Sequence, residues 1–254
     1  MRFLAITLAG ACALAACAEA DGDEMEIVEM PLPPENPVDT LPLWLESVEV
    51  LRWHPPVDPD APLTEEDYEE IAADLGIEVA SLRAVVDVEA GHLAHGFWDP
   101  GKPVVYFSLD QFRRFAAAKG INIDKYRKTH PYVFTKPAAA KFASPQAAVQ
   151  ARVDQAMEID AESAIKACFW GMFQIGGFNW KLCGATSAED FYQRMCQSER
   201  SQIDLFSSFL RATGLDKPLQ KKDWARFARG YNGPSWQKRG YHTKLAKAYA
   251  KHSK

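Results

Sequence analysis

The spacing of apolar residues along residues 63–254 predicts a mainly α-helical protein. One helix is defined by Leu82, Val85 and Val86, which recur at helical spacing and lead to Glu89. If these apolar side chains face a core, the carboxyl group of Glu89 shares or borders that face. The pattern therefore predicts a carboxyl group held against apolar surroundings at the end of a helix.

Polar residues that begin or end helices predict three further helices. Thr64 and Asp67 have the spacing of a capping box, and Gly76 stands where that helix would end. A second and longer helix is predicted to begin at Ser187 and to end at Gly214. A third is predicted to begin after an Asp223 cap, because the apolar residues that follow are spaced as on one helix face: Trp224, Phe227, Ala228 and Tyr231.

The exception to helical patterning is a short segment at residues 96–107. A D-P-G-K-P turn leads there into the β-prone run V-V-Y-F, which predicts a small hairpin after the Glu89 helix. Residues 124–150 are rich in Lys, Pro and Tyr and indicate a long loop. The whole pattern predicts a mainly α-helical domain with one small β-hairpin.

The first 62 residues differ in composition from the rest of the chain. Residues 1–16 contain one cation, Arg2, and an apolar run too short to span a bilayer, which predicts an export signal. The L-A-A-C run that ends at Cys17 resembles the bacterial lipobox, and this resemblance implies cleavage before Cys17 and lipidation of its thiol. Residues 17–62 are acidic and rich in proline, which indicates a disordered tether before a domain at residues 63–254.

Charge is distributed unevenly along the chain. The sequence has a formal net charge of -5, but residues 63–254 contain 27 Lys or Arg against 22 Asp or Glu. From Gly214 onward there are eleven cations against two acids, so a basic face is expected at this end. A basic face outside the cytoplasm suits the peptide carboxylates of peptidoglycan or acidic lipid head groups, and the export signal argues against nucleic acid.

The environment predicted for Glu89 suits acid catalysis. Burial disfavours the charged carboxylate, and the negative end of a helix dipole does the same, so the pKa of Glu89 is expected to rise. A carboxylic acid that is protonated near neutral pH can donate a proton to a leaving group. Glu89 is therefore the candidate general acid.

Two later motifs give this candidate a context. W-G-M-F-Q-I-G-G-F-N at residues 170–179 places a glutamine among apolar residues and glycines, where a ligand could approach closely. F-A-R-G-Y-N-G-P at residues 227–234 ends a helix with two hydrogen-bonding side chains. The order of helix-terminal glutamate, hairpin, G-x-F-Q-I and Y-N-G resembles the lysozyme superfamily, and in detail the phage and bacterial N-acetylmuramidase family.

This resemblance implies a lysozyme-like fold and a peptidoglycan substrate. It implies hydrolysis of the β-1,4 bond between N-acetylmuramic acid and N-acetylglucosamine, with Glu89 at the position of the catalytic acid. The saccharide groove would be lined by five residues on motif positions: Phe173, Gln174, Asn179, Tyr231 and Asn232. No cofactor is implied, and the sequence gives no indication of oligomeric state.

The identity of a second catalytic carboxylate is open. Glycosidases normally use two carboxyl groups, yet Ser108 stands where members of the family usually have an acid after the hairpin. Asp99 in the hairpin turn and Asp110 just beyond it are the candidates. Asp87 is a poorer one, because a residue two positions from Glu89 lies on another face of the helix.

Histidine and cysteine suggest no catalytic chemistry of their own. His92 and His95 follow Glu89 but match no strong zinc motif, so no metal site is predicted. Cys168, Cys183 and Cys196 remain after the signal and Cys17 are set aside, which is an odd number in an oxidising compartment. One disulfide, between Cys183 and Cys196, is predicted, with Cys168 buried as a small hydrophobic residue.

The sequence is therefore consistent with three functions. The first is a lysozyme-type hydrolase, and the second is a lytic transglycosylase, which needs one Glu because a sugar hydroxyl attacks. The third is a catalytically weak peptidoglycan-binding lipoprotein. For each of them the expected location is the cell envelope, with lipid on Cys17 anchoring the protein to the outer membrane facing the periplasm.

Overall fold

The fold was established from a computed structural model, which describes residues 61–89, 95–137 and 141–254. The predicted signal, Cys17 and almost all of the predicted tether lie outside the described residues, as does His92. Among the helices of the described ranges, none is both long and apolar enough to cross a membrane.

Helices dominate the described chain, as the spacing of apolar residues predicts. There are ten α-helices within the described ranges: α1 (Glu65–Leu75), α2 (Val79–Glu89), α3 (Leu109–Ala118), α4 (Pro131–Phe134), α5 (Pro145–Lys166), α6 (Ala188–Met195), α7 (Glu199–Thr213), α8 (Asp216–Gln220), α9 (Trp224–Asn232) and α10 (Tyr241–His252). Short 3-10 helices cover Ile123–Tyr126, Gly177–Asn179 and Pro234–Trp236. The fold class is mainly α and lysozyme-like, with a small β component.

The β component consists of two small antiparallel sheets. β1 (Phe97–Asp99) pairs with β2 (Lys102–Pro103), which is the predicted hairpin. β3 (Val105–Phe107) pairs instead with β4 (Cys168–Trp170), and β4 pairs with β5 (Ile175–Gly176). The expectation that the V-V-Y-F run belongs to the hairpin is therefore wrong. Its backbone hydrogen bonds join the hairpin region to the W-G-M-F-Q-I segment.

Polar caps set most of the helix boundaries. In α1 the capping box between Thr64 and Asp67 forms as predicted, and Gly76 ends the helix at φ 65°. The long helix predicted from Ser187 is two helices, because Ser198 accepts a hydrogen bond from the Ser201 N–H and begins α7 anew. The predicted loop at residues 124–150 contains α4 and the start of α5.

The core contains the aromatic residues of α7 and α9. Phe206 stacks on Phe173 with ring centroids 4.0 Å apart, and Tyr231 meets Phe206 edge-on at 5.5 Å. All three side chains are buried. Burial of one such side chain contributes about 1.5–3 kcal/mol. Helix α2 packs along α10 beside this core, so the end of α2 is surrounded by other helices.

The predicted disulfide between Cys183 and Cys196 is not formed, and both cysteines are thiols in this structure. The Tyr192 hydroxyl, one turn earlier in α6, acts on the Cys196 thiol and partly opposes the effect of burial on its pKa. Cys183 is buried in the core, as is Cys168. Burial raises the pKa of the Cys196 thiol to about 11, so this sulfur is a poor nucleophile for exchange.

Candidate active site

Glu89 is the last residue of α2, and its carboxyl group is completely buried. The apolar positions that precede it, including Leu82, Val85 and Val86, face the core, so the helix carries Glu89 to the same side. Burial raises the pKa of Glu89 to about 8, although Asn232 and Lys244 act in the opposite direction. The side chain is therefore a protonated carboxylic acid at neutral pH.

Asn232, the last residue of α9, holds this carboxyl group. Its Nδ2 donates hydrogen bonds to both carboxyl oxygens of Glu89, each at 3.1 Å. Its Oδ1 is buried, and within the described ranges no group donates to it. Helix α9 begins at Asp223, whose side chain accepts from the Arg226 N–H, and it ends at Gly233 with φ 66°. These caps fix where Asn232 lies.

Helix α10 contributes two further groups near the acid. Tyr241 is buried, and burial together with the nearby Glu89 raises the pKa of its hydroxyl. The positive charge of Arg239 opposes this shift and favours ionisation of the hydroxyl. The side chain of Lys244 lies one turn further along α10, and its positive charge favours ionisation of Glu89. Glu89 therefore meets a neutral amide, a phenol and one cation.

Asp87 lies two residues from Glu89 but in a very different environment. Its Oδ2 accepts from Lys251 Nζ at 3.0 Å and lies 2.8 Å from His252 Nε2. Burial opposes ionisation of Asp87, but these hydrogen bonds outweigh it and lower its pKa. This carboxylate is thus an ion-paired surface group that joins α2 to α10, as its place on another helix face indicates.

Gln202 of α7 joins the segments around the site. Its fully buried Oε1 accepts from the Met172 N–H at 2.8 Å, and its Nε2 donates to the Met195 and Gly96 carbonyl groups at 2.9 and 3.3 Å. The Glu199 carboxylate accepts from the Gly96 N–H at 2.8 Å. One side of α7 therefore holds the start of the hairpin and the turn between β4 and β5.

Two glycines permit this close approach. A Cβ atom on Gly96 would lie 2.2 Å from Gln202 Oε1, and one on Gly171 would lie 2.6 Å from the same atom. Gly171 also has φ +69°, which disfavours any larger residue. The first glycine of the W-G-M-F-Q-I motif is thus explained by its contact with a buried side chain of the protein itself.

Two of the predicted groove residues are core residues instead. The ring of Phe173 is covered by Phe206, and Tyr231 is fully buried between aromatic rings. The Tyr231 hydroxyl donates to the Phe173 carbonyl oxygen at 2.7 Å. The expectation that these side chains line a groove is therefore corrected: they tie α9 to the β4–β5 turn, which places the neighbouring Asn232 against Glu89.

The other predicted residues have varied positions. Gln174 is mostly buried at φ 49°, and its Nε2 donates to the Gly171 carbonyl oxygen at 2.9 Å, so its amide supports the turn. Asn179 is mostly buried at the end of a 3-10 turn. Asp99 is partly exposed and is bound by Lys102 Nζ at 2.7 Å within the hairpin. Its role as a catalytic carboxylate therefore stays a prediction.

The acid expected after the hairpin is replaced by a helix cap. Ser108 accepts a hydrogen bond from the Gln111 N–H at 3.3 Å and begins α3. Asp110, the other candidate, is exposed in the first turn of that helix. Its position there is favoured by the helix dipole.

Several residues of the site carry no clear signal in the sequence. Tyr241, Arg239 and Lys244 were recognisable only as part of a basic, tyrosine-containing C-terminal segment, and Gln202 was one polar residue within a helix. Only the structure brings them to the acid or to the turns beside it. Across the described ranges there is no group of three or more side chains suited to hold a metal ion.

Comparison with known proteins gives two findings. Residues 78–253 match the profile of a family described as N-acetylmuramidase. The chain is also similar to the crystal structure of Burkholderia AP3 phage endolysin, with 33% sequence identity and a TM-score of 0.65 over 76% of this chain and 72% of that chain. No curated protein matches the chain. The region that matches the family profile, residues 78–253, contains Glu89 and Asn232 as well as the turn at Gln174.

Proposed function

Since this chain belongs to the N-acetylmuramidase family and is a peptidoglycan hydrolase, we propose that Glu89 is its general acid. The bond cleaved is the β-1,4 linkage between N-acetylmuramic acid and N-acetylglucosamine. The observation that carries this proposal is the complete burial of the Glu89 carboxyl group, which raises its pKa to about 8. A proton is therefore available at neutral pH for an oxygen that leaves.

In the hydrolytic reaction, Glu89 gives its proton to the glycosidic oxygen as the bond from C1 of the muramic acid breaks. The N-acetylglucosamine leaves as an alcohol, and water adds to the oxocarbenium-like carbon and loses one proton to solvent. Glu89, now an anion, is stabilised by the two hydrogen bonds from Asn232 and by the charge of Lys244. These contacts favour the charged state that forms during the reaction, so they lower the barrier. A proton from solvent then restores the carboxylic acid of Glu89.

The second candidate is lytic transglycosylation at the same site. Here the 6-hydroxyl of the muramic acid attacks C1, and the Glu89 anion takes the proton from that hydroxyl, which restores the acid. The placement of the other carboxylates favours this candidate: Asp99 is bound by Lys102, and the position after β3 is the helix cap Ser108. Hydrolysis would need a second group to activate water.

Asn232 also offers a contact for the sugar. Its buried Oδ1 has no donor within the described part of the chain, and a buried amide oxygen is normally satisfied by a hydrogen bond. The N–H of an N-acetyl group or a sugar hydroxyl would supply it. The amide of Asn232 would then donate to Glu89 and accept a hydrogen bond from the substrate.

The deciding experiment is digestion of purified peptidoglycan by wild type and by Glu89→Gln. The variant has nearly the same shape but no proton to give, so turnover should fall by about 10² to 10⁴ while co-sedimentation with the polymer persists. Asp87→Asn is the matched control, because it removes a carboxylate from the same helix outside the site. Digestion by Glu89→Gln at the rate of wild type would show that Glu89 is not the acid.

The products of the wild type separate the candidates. Reducing muramic acid ends indicate hydrolysis, and 1,6-anhydro ends indicate transglycosylation. Asp99→Asn adds a second comparison, because it should abolish hydrolysis only if Asp99 serves as the second carboxylate. A wild type that binds the polymer and releases no fragment would indicate a peptidoglycan-binding protein, with Ser108 in place of an acid as the reason.

We further propose that the mature protein is a lipoprotein that begins at Cys17 and is attached to the outer membrane, facing the periplasm. The support is the L-A-A-C run after a short apolar segment. Metabolic labelling with a fatty-acid probe tests this, with Cys17→Ser as the comparison. The proposal would be contradicted if wild type and Cys17→Ser were labelled equally, or if neither protein were labelled.

A further inference from the structure

Two exposed cations lie beside the buried acid. The Arg239 side chain acts on the Tyr241 hydroxyl and favours its ionisation, and Tyr241 is close enough to Glu89 for the charge of that carboxyl to act on it. Lys244 acts directly on the Glu89 carboxyl group. Both cations are exposed, whereas Tyr241 and Glu89 are buried. We call this pair of exposed cations near the acid the positively charged rim.

In the described part of the chain, the charges of this rim are not neutralised by an ion pair. Two other lysines of the same basic segment are in ion pairs, Lys222 with Glu78 and Lys251 with Asp87. Within the described ranges no ion pair includes Arg239 or Lys244. The acid beside Lys244 does not neutralise it either, because Glu89 holds its proton at neutral pH. Two positive charges thus remain available to a ligand at the site.

We infer that Arg239 and Lys244 bind carboxylates of the peptide side chains of peptidoglycan. This inference rests on the proposed function of the Glu89 site. The peptides are attached to the muramic acid residues, so a glycan bound across Glu89 carries carboxylates beside the bond to be cleaved. The sugar ring atoms themselves are uncharged. The rim therefore selects the charged, peptide-bearing polymer rather than a neutral glycan of the same linkage.

The size of this effect follows from the exposure of the two cations. An exposed ion pair contributes a factor of a few in affinity, because water and salt screen the charges. Two such contacts together should change KM by about 2- to 30-fold at low salt. Arg239 should affect kcat much less than KM, because it acts on a part of the substrate that does not react. Loss of Lys244 should also lower kcat, but on both polymers alike, because its charge stabilises the Glu89 anion.

The experiment compares native peptidoglycan with the same polymer after its carboxylates have been converted to primary amides. Digestion is measured at about pH 6, where Glu89 keeps its proton in every variant, and at low salt. Wild type should show the lower KM on the native polymer. In the double variant Arg239→Gln/Lys244→Gln, the ratio of the two KM values should approach one, and added salt of about 0.3 M should do the same to wild type.

Lys221→Gln/Arg226→Gln is the matched control. It removes the same net charge from exposed positions of the same basic segment, at the end of α8 and in the first turn of α9. It should keep the preference of wild type for the native polymer. Equal loss in the control would mean that overall charge and not the rim sets the preference, and it would overturn the inference.

The failure of this inference differs from the failure of the proposed function. If wild type digests native and amidated polymer with equal KM values, the rim has no role in selection, yet Glu89 remains the acid. If wild type digests neither, the function itself is contradicted. Co-sedimentation of wild type and the double variant with native polymer gives a second measurement that does not depend on turnover. The double variant should require several-fold more polymer for half-maximal binding.

Discussion

The Asn232 amide donates one hydrogen bond to each carboxyl oxygen of Glu89, at 3.1 Å, across 143 residues of sequence. A donor shared equally between the two oxygens suits a carboxylate better than a carboxylic acid. Burial acts in the opposite direction, because it disfavours the charged carboxylate and so keeps Glu89 protonated. The site therefore holds an acid that is ready to lose its proton and whose anion is already solvated by the protein.

The rate of digestion should fall at alkaline pH. Glu89 must be protonated to act, and burial raises its pKa to about 8, so kcat/KM should decline as the pH passes through about 8. A profile measured on peptidoglycan between about pH 5 and 10 gives the midpoint of this decline. A decline centred near the ordinary pKa of glutamate would contradict the assigned environment.

Asn232→Ala should shift this alkaline decline to higher pH. The amide of Asn232 lowers the pKa of Glu89, whereas burial raises it. Removal of the amide should therefore raise the pKa of Glu89 further. The maximal kcat should also fall, because the anion loses two hydrogen bonds. Asn179→Ala is the control: it removes another mostly buried amide and should leave the midpoint of the decline in place, whatever it does to KM. Equal midpoints in wild type and Asn232→Ala would contradict this assignment.

Glu89→Gln should stabilise the fold at neutral pH. In the folded chain Glu89 keeps its proton up to about pH 8, whereas unfolded glutamate loses it near pH 4.3. The unfolding free energy of wild type therefore decreases as the pH rises through this window, by about 1.4 kcal/mol per pH unit. Glutamine has no such proton, so the advantage of the variant should grow from about pH 4 to pH 8 in urea unfolding curves.

Asp87→Asn should have the opposite pH dependence. The folded pKa of Asp87 is lowered, so its contribution to stability is present above the unfolded pKa and is lost as the pH falls through the folded value. The variant should be less stable than wild type at neutral pH, and the difference should shrink in acid. Parallel curves for the two variants would contradict the contrast between these neighbouring carboxyl groups.

Gln202→Leu should destabilise the fold strongly. The change keeps the approximate size but leaves the Met172 N–H and the Met195 carbonyl without their buried partner. A loss of about 2 to 4 kcal/mol is expected, which would lower Tm by roughly 4 to 16 °C. The control is Gln193→Leu, on the exposed side of α6, which should change stability by about 0.5 kcal/mol or less. Similar Tm values for the two variants would contradict a role for Gln202 as a buried link.

The sequence predicted the burial of Glu89 because its environment is local. Periodic apolar residues within one helix suffice to place Glu89 against a core, and caps such as Thr64 and Asp223 mark helix ends through contacts three residues away. The pairing of β3 with β4 and the bond from Asn232 to Glu89 join distant segments. Spacing within a segment contains no information about such partners.

The wrong predictions, which are the groove positions of Phe173 and Tyr231 and the disulfide between Cys183 and Cys196, have the same origin. Phe173 and Tyr231 stand on motif positions next to residues that do contact the site, and only their packing against Phe206 shows that they face the core. The disulfide was inferred from counting cysteines in an oxidising compartment, and a count contains no information about the distance between two sulfur atoms. Which side of a turn faces inward is decided by tertiary packing.

The dependence of Glu89 on Asn232 and α10 has a consequence for when the protein becomes active. While the chain is being synthesised, Glu89 emerges long before the residues that bury it, and it is then an ordinary carboxylate in water. Only in the folded chain, where the carboxyl group is buried and Asn232 and α10 lie beside it, does Glu89 hold a proton at neutral pH. The raised pKa is therefore a property of the finished fold, and an unfolded chain has an ordinary carboxylate at this position.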